Sequence, residues 1–162
     1  MVDVVGNGFQ MSRVFNFDDG IIENEEFHVS QSGKGLGLKM FATQVRAAQD
    51  QGFKRIEVFA AGKNGTDMNG YYTWPRFGYV GTVNWSTVDK EMPEQFRKMQ
   101  NETTGHTRIS AFMKTQEGRE AWRKYGGSQD LHFNLKKGSY SLQVLNAYIT
   151  EKSKATKDIH ES

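Results

Sequence analysis

The hydrophobic period changes twice between residues 21 and 61, and no other feature limits the fold as much. The stretch IIENEEFHV (Ile21–Val29) has the β-branched and aromatic content of a strand. After the loop SQSGKG, residues 36–51 carry Leu38, Phe41, Val45 and Ala48 at helical spacing. Lys39, Gln44, Arg46, Gln49 and Asp50 fall mostly on the other side. Gly52 stands where a left-handed residue closes such a helix. Residues 55–61, RIEVFAA, alternate again, with Ile56, Val58 and Ala60 on one face. A strand, a glycine turn, a helix and a second strand in this order predict an α/β (α+β) domain.

The flanking segments fill in that prediction. Residues 9–17 alternate in part and stop at Asp18-Asp19-Gly20, which predicts a hairpin with the strand at Ile21. Beyond the polar loop 62–68, Pro75 interrupts NGYYTWPRFGYV, so a helix there is expected to be short or broken. Residues 79–83 read as a further strand. The pattern then turns helical, with Met92, Phe96 and Met99 on one stripe, Ile109, Phe112 and Met113 on a second, and 115–125 as a third helix. This predicts a helical insertion over about residues 88–128. Trp85, Trp122 and the methionine stripe read as core. The segment 131–135, LHFNL, alternates like a strand. Ser139 could cap a last helix bearing Leu142, Leu145 and Ile149, with a polar tail fraying after residue 151. Neither a repeat nor a linker divides the chain, so one domain over 1–162 is expected.

Charge is unevenly spread. Residues 1–32 hold Asp3, Asp18, Asp19, Glu23, Glu25 and Glu26 against Arg13 alone, although the whole chain has a net charge of +2. The rest is therefore basic, which suits an anionic ligand. No dense basic run interleaved with aromatics argues for nucleic acid. The chain has no cysteine, which excludes disulfides, thiolate catalysis and zinc–sulfur sites. His106 and His132 have no partners at metal-ligand spacing, so no metal is expected. No apolar run reaches the length of a membrane span, and the start MVDVVGNGFQ has neither a basic region nor an apolar core. A cytoplasmic protein without a membrane role is the default expectation.

The glycine turn has its own chemistry. Gly33, Gly35 and Gly37 precede a helix, where free backbone N–H groups and the helix dipole favour an anion such as a pyrophosphate. A P-loop would need Gly-Lys followed by Ser or Thr, and that is absent. A dinucleotide fingerprint would need G-x-G-x-x-G, whereas position 38 is leucine. The run SGKGLG, residues 32–37, instead resembles the acyl-coenzyme A signature of the GNAT acetyltransferase superfamily: Arg or Gln, two residues, Gly, one residue, then Gly or Ala. The likeness continues through LKMFATQVRAAQDQGFKRIEVFA and reaches RFGYV, so it covers roughly residues 21–83. GYYTWPRFGY and the later GREAW and KKGS also look like divergent GNAT-like domains of phage or mobile-element proteins.

The resemblance implies a mixed, mostly antiparallel twisted sheet flanked by helices, with the helical insertion following the family's sixth strand. It implies acetyl-coenzyme A as co-substrate, held by Val29, Ser30, Ser32, Gly33, Lys34, Gly35, Leu36 and Gly37, with Asn69 either capping the next helix or touching the coenzyme. An amine acceptor, small molecule or protein, would complete the reaction, and a homodimer is compatible with it. By the resemblance the strand ending at Val29 supplies amides to the thioester, and Glu26 on that strand is the first choice of general base, with His28 as the other candidate. The family's acid position falls on Trp74, which carries no titratable proton, so the role passes to the nearby Tyr72, with Tyr71 beside it. Ser32 departs from the family's Arg or Gln, and Lys34 could compensate. Only 31 residues precede the motif, fewer than the family's usual N-terminal half. The alternative expectation is a non-catalytic module that binds coenzyme A or a protein partner.

Overall fold

A computed structural model describes the backbone of residues 2–6, 9–29, 36–102 and 107–161, and side chains over 12–25, 37–100, 107–155 and at 157. The fold is α+β, with an open, mixed sheet of five strands in the order β1-β2-β3-β4-β5. These strands are β1 (Val2–Gly6), β2 (Phe9–Asn16), β3 (Ile21–Val29), β4 (Arg55–Ala60) and β5 (Gln129–Asn134). The first three form an antiparallel meander. Its first strand, Val2–Gly6, was not anticipated from the sequence. The Lys54 N–H donates to the Gly20 carbonyl at 2.7 Å, so β3 and β4 start side by side and run parallel. The Leu135 N–H donates to the Lys54 carbonyl, so the end of β5 meets the start of β4 and that pair is antiparallel.

The chain divides into two compact units, residues 1–57 with 133–162, and residues 58–132, and β4 and β5 each contribute to both. In the first unit, helix α1 (Leu36–Asp50) buries Leu38, Phe41, Val45 and Ala48 as their spacing required. Gln44 is also buried, contrary to its expected outward position. The buried stripe is thus wider than the apolar residues alone indicate. Phe41 meets Phe133 edge to face at 5.2 Å, and the Gln49 side-chain amide donates to the Leu135 carbonyl. The helix ends in a full Schellman closure: Gly52 at φ 83° donates to Gln49, and Phe53 donates to Ala48. Helix α7 (Tyr140–Glu161) is capped by the Ser139 hydroxyl accepting from Leu142 N–H. It runs on past residue 151, where a frayed tail was expected.

The second unit is built on α2 (Gly70–Phe77), short helices α3 (Glu94–Arg97), α4 (Met99–Glu102) and α5 (Ser110–Met113), and α6 (Gln116–Tyr125). Phe112 and Trp122, both fully buried, form its centre with rings 5.0 Å apart, and Trp85 and Phe96 pack on Phe112. Thr115 caps α6 by accepting from Gly118 N–H. The strand expected over 79–83 is instead a pair of isolated bridges, Val80 to His132 and Thr82 to Arg108. The reason is that the segment changes partner within two residues: Val80 bonds to His132, whereas Gly81 and Val83 bond to Ile109 and Thr107.

Candidate functional site

The sequence-predicted site residues fall in both units, and each group is described in its own. In the first unit, Glu26 and Val29 lie on β3, where their backbones pair with Ser12 and Phe9. The side chains of Glu26, His28 and Val29 lie outside the described residues, as do Ser30, Ser32, Gly33, Lys34 and Gly35 altogether. Leu36 is the first residue of α1, its side chain also outside the description, and Gly37 is the second, half-buried. In chain order, then, residues 30–35 link the end of β3 to the start of a 15-residue helix that returns into a parallel neighbour.

A bulge lies four residues before the end of β3. Ser12 pairs with Glu26 but Arg13 pairs with Asn24, which leaves Glu25 as the extra residue. The two-residue alternation of side chains is reset there. Arg13 and Asn24 are buried, 7% and 5% exposed, and the Arg13 Nε–H donates to Asn24 Oδ1 at 2.7 Å. Sequence reading passed over this pair, since a polar strand residue is ordinarily solvated.

In the second unit, Asn69 stands at the N-cap of α2 with φ −118° and ψ 11°, and its side chain makes no capping hydrogen bond. Its carbonyl, not its amide, serves the helix, accepting from Tyr72 and Thr73 N–H. Asn69 thus holds the expected cap position, through its backbone and not its side chain. Helix α2 is short but not broken: Pro75 sits inside it, buried. Proline lacks the N–H that would reach the Tyr71 carbonyl four residues back. That carbonyl is taken by the Trp122 indole N–H at 2.8 Å. The residue missing a donor and the residue supplying one are thus matched across two helices.

The three aromatic candidates separate by helical phase. Trp74 is buried and packs on Phe77 and Tyr79, with rings 5.8 and 5.3 Å away. Tyr71 is 3% exposed, and its hydroxyl donates to the Arg123 carbonyl. Burial pushes the Tyr71 phenol above its ordinary range, the nearby Arg123 charge opposing this in part. Tyr72, about 100° further round the helix, is half-buried, and no hydrogen bond engages its hydroxyl among the described residues. Only Tyr72 of the three has both a hydroxyl and no structural duty for it.

Among the described residues, no group of three or more His, Asp or Glu could hold a metal ion, and no helix is long and apolar enough to cross a membrane. The buried Gln129 is a structural node: its amide accepts from Asn84 N–H and donates to the Asn84 carbonyl and the Thr87 hydroxyl. No protein-family model, curated protein or solved structure matches the chain.

Proposed function

We propose that the chain binds acyl-coenzyme A through the glycine-rich segment 30–37 and transfers its acyl group to an amine. The observation that carries this reading is the β3–α1–β4 unit: a glycine-rich segment enters a capped helix, and the helix returns into a strand parallel to the first. Such a turn offers backbone N–H groups and the positive end of a helix dipole to a pyrophosphate. The basic balance of residues beyond 32 favours the same anion.

In this reading an uncharged amine nitrogen attacks the thioester carbonyl carbon. Glu26, or His28, accepts the proton the nitrogen sheds. Amides of β3 near Val29 stabilise the oxyanion of the tetrahedral intermediate. The intermediate collapses by breaking the carbon–sulfur bond, and the departing thiolate takes a proton from Tyr72. Acetyl-coenzyme A is the simplest donor, and the acceptor is a small-molecule or protein amine drawn to the acidic first 32 residues.

One observation favours a second reading, a module that binds coenzyme A or a protein partner without turnover. The position corresponding to the family's acid holds Trp74, buried against Phe77 and Tyr79, and the adjacent Tyr71 is committed to Arg123. Thermal unfolding with coenzyme A and acetyl-coenzyme A, followed by thiol release across a panel of amines, separates the cases. Stabilisation with thiol release supports the transferase, and stabilisation alone supports the module. No shift in a folded chain defeats coenzyme binding under either reading and leaves only a module for a protein partner.

A further inference from the structure

We infer that Asn64 is a spontaneous modification site, losing ammonia through a cyclic imide formed with Gly65, while the nearby Asn69–Gly70 pair is protected by the start of α2. Only the loop between β4 and α2 is involved, whichever reading of function holds.

Asparagine followed by glycine occurs at 7–8, 64–65 and 69–70, and the first of these pairs lies outside the described residues. Asparagine is chemically labile, and a glycine after it leaves the backbone nitrogen open to approach because no β-carbon stands beside it. The reaction balances with water as its only co-reactant. The Gly65 nitrogen gives up its proton and attacks the Asn64 side-chain carbonyl carbon, forming a carbon–nitrogen bond. The bond from that carbon to Nδ2 then breaks, and the nitrogen departs as ammonia with the proton. Water opens the cyclic imide at the side-chain carbonyl to give aspartate, or at the backbone carbonyl to give isoaspartate. Sequence alone gives the pairs at 64 and 69 equal standing, and both asparagines are exposed.

The backbone separates them. Closing the ring requires the asparagine's ψ to turn until the next nitrogen faces the side-chain carbon, and this swings the asparagine's own carbonyl. The Asn69 carbonyl accepts from the Tyr72 and Thr73 N–H groups, both at 3.0 Å, and Asn69 sits at ψ 11° as the N-cap of α2. Turning it breaks both bonds at the head of the helix. Gly70 is hemmed in as well: a β-carbon there would lie 3.2 Å from the Ala61 carbonyl oxygen and from the Trp74 ring. Asn64 and Gly65 stand instead at the centre of an exposed turn, closed by the Thr66 N–H donating to the Lys63 carbonyl at 3.2 Å. Among the described residues no hydrogen bond engages the Asn64 carbonyl or the Gly65 N–H. Gly65 is at φ 83°, and nothing lies within 4 Å of where its β-carbon would be, so the peptide between 64 and 65 can rotate without a clash. The product changes the loop. Conversion adds a negative charge beside Lys63, and isoaspartate puts an extra carbon into the main chain of the turn. The Thr66 hydroxyl, which donates to the Lys63 or the Met68 carbonyl, is the contact this disturbs.

The test incubates the full chain at mildly alkaline pH, folded and, in parallel, unfolded in guanidinium chloride. Trypsin then releases residues 64–76 as one peptide, between Lys63 and Arg76, and fragmentation mass spectrometry reads each asparagine in it separately. Enzymatic methylation detects the isoaspartate. In the folded chain Asn64 should convert about ten-fold or more faster than Asn69, because two hydrogen bonds of ordinary strength must open only at Asn69. In guanidinium chloride the two should convert at comparable rates, since both are asparagine–glycine pairs. Asn64→Gln should remove the product at 64 and leave the rate at Asn69 and the thermal midpoint of fresh protein unchanged. Equal conversion of Asn64 and Asn69 in the folded chain, or faster conversion of Asn69, would overturn the inference. So would an Asn64 that stays intact when folded over the time in which it converts when unfolded. A difference that persists undiminished in guanidinium chloride would assign the selectivity to sequence and overturn the protective role of the α2 cap.

Discussion

Tyr71 and Tyr72 are adjacent in sequence and differ in what their hydroxyls are committed to. The Tyr71 hydroxyl holds the Arg123 carbonyl from a buried position, whereas Tyr72 is half-buried on a different face of the same turn. Tyr72→Phe is therefore expected to lower turnover by about 10² or more, the scale of a lost acid–base group, with coenzyme affinity little changed. Tyr71→Phe should cost about 1 kcal/mol of stability in a urea titration and leave turnover nearly untouched. The opposite ranking would transfer the role to Tyr71. The pH dependence of stability follows from the same residue. Burial raises the Tyr71 phenol above its ordinary value, so the folded state holds the proton more tightly than the unfolded chain. Its contribution is complete below the ordinary tyrosine pKa of about 10 and is lost as pH rises through the higher folded value. Thermal midpoints of wild type and Tyr71→Phe should accordingly converge above that pH. A constant gap from neutral to strongly alkaline pH would show that the phenol proton is not what burial protects.

At the scale of elements, the helices are held by matched donors and acceptors more than by propensity. Helix α2 has eight residues, too few to persist alone, and contains a proline. It survives because Trp122 of α6 supplies the donor that Pro75 cannot. Trp122→Phe leaves the Tyr71 carbonyl without that partner and opens a small cavity, so unfolding free energy should fall by roughly 2–4 kcal/mol. Adding Pro75→Ala to that variant restores a backbone N–H aimed at the same carbonyl and should recover about 1 kcal/mol. Pro75→Ala in the wild-type background should recover less, and strict additivity in this cycle would refute the matching. At the far end of α2, Gly78 at φ 110° donates to Pro75 and Tyr79 donates to Trp74, the same closure that Gly52 and Phe53 give α1. Gly52→Ala should cost about 1 kcal/mol in a denaturant titration, since a β-carbon disfavours positive φ even where nothing crowds it.

For the whole molecule the decisive prediction concerns the ligand. Coenzyme A at about 100 times its dissociation constant should stabilise the folded chain by roughly 2.7 kcal/mol, read as a shift in thermal midpoint. Gly35→Val should abolish that shift while leaving the midpoint without ligand close to wild type, because a β-branched side chain would fill the pyrophosphate space. Equal stabilisation of wild type and Gly35→Val would show that the turn is only a connection.

Local chemistry was enough to locate β3, α1, β4, β5 and the start of α7, since each depends on near neighbours: alternation, a 3.6-residue stripe, a glycine at the end of a helix, a serine at the head of one. The glycine-rich run was expected to turn on the same local grounds, and residues 30–35 lie outside the described residues. What the sequence could not determine depends on partners far along the chain. Residues 79–83 look like a strand, but whether they form a ladder rests on His132, Ile109 and Thr107 being brought to them. Pro75 reads as a breaker until Trp122, 47 positions later, arrives to satisfy the freed carbonyl. Gln44 reads as a surface residue, and Arg13 carries no mark of its burial, because polarity predicts solvation unless the fold supplies a hydrogen-bonded interior. The bulge at Glu25 has no signature of its own in either strand and exists only as a relation between β2 and β3. Sequence settles what a residue prefers within a turn of helix or a strand's length, and tertiary structure settles whether a polar group buried far from that neighbourhood finds its match.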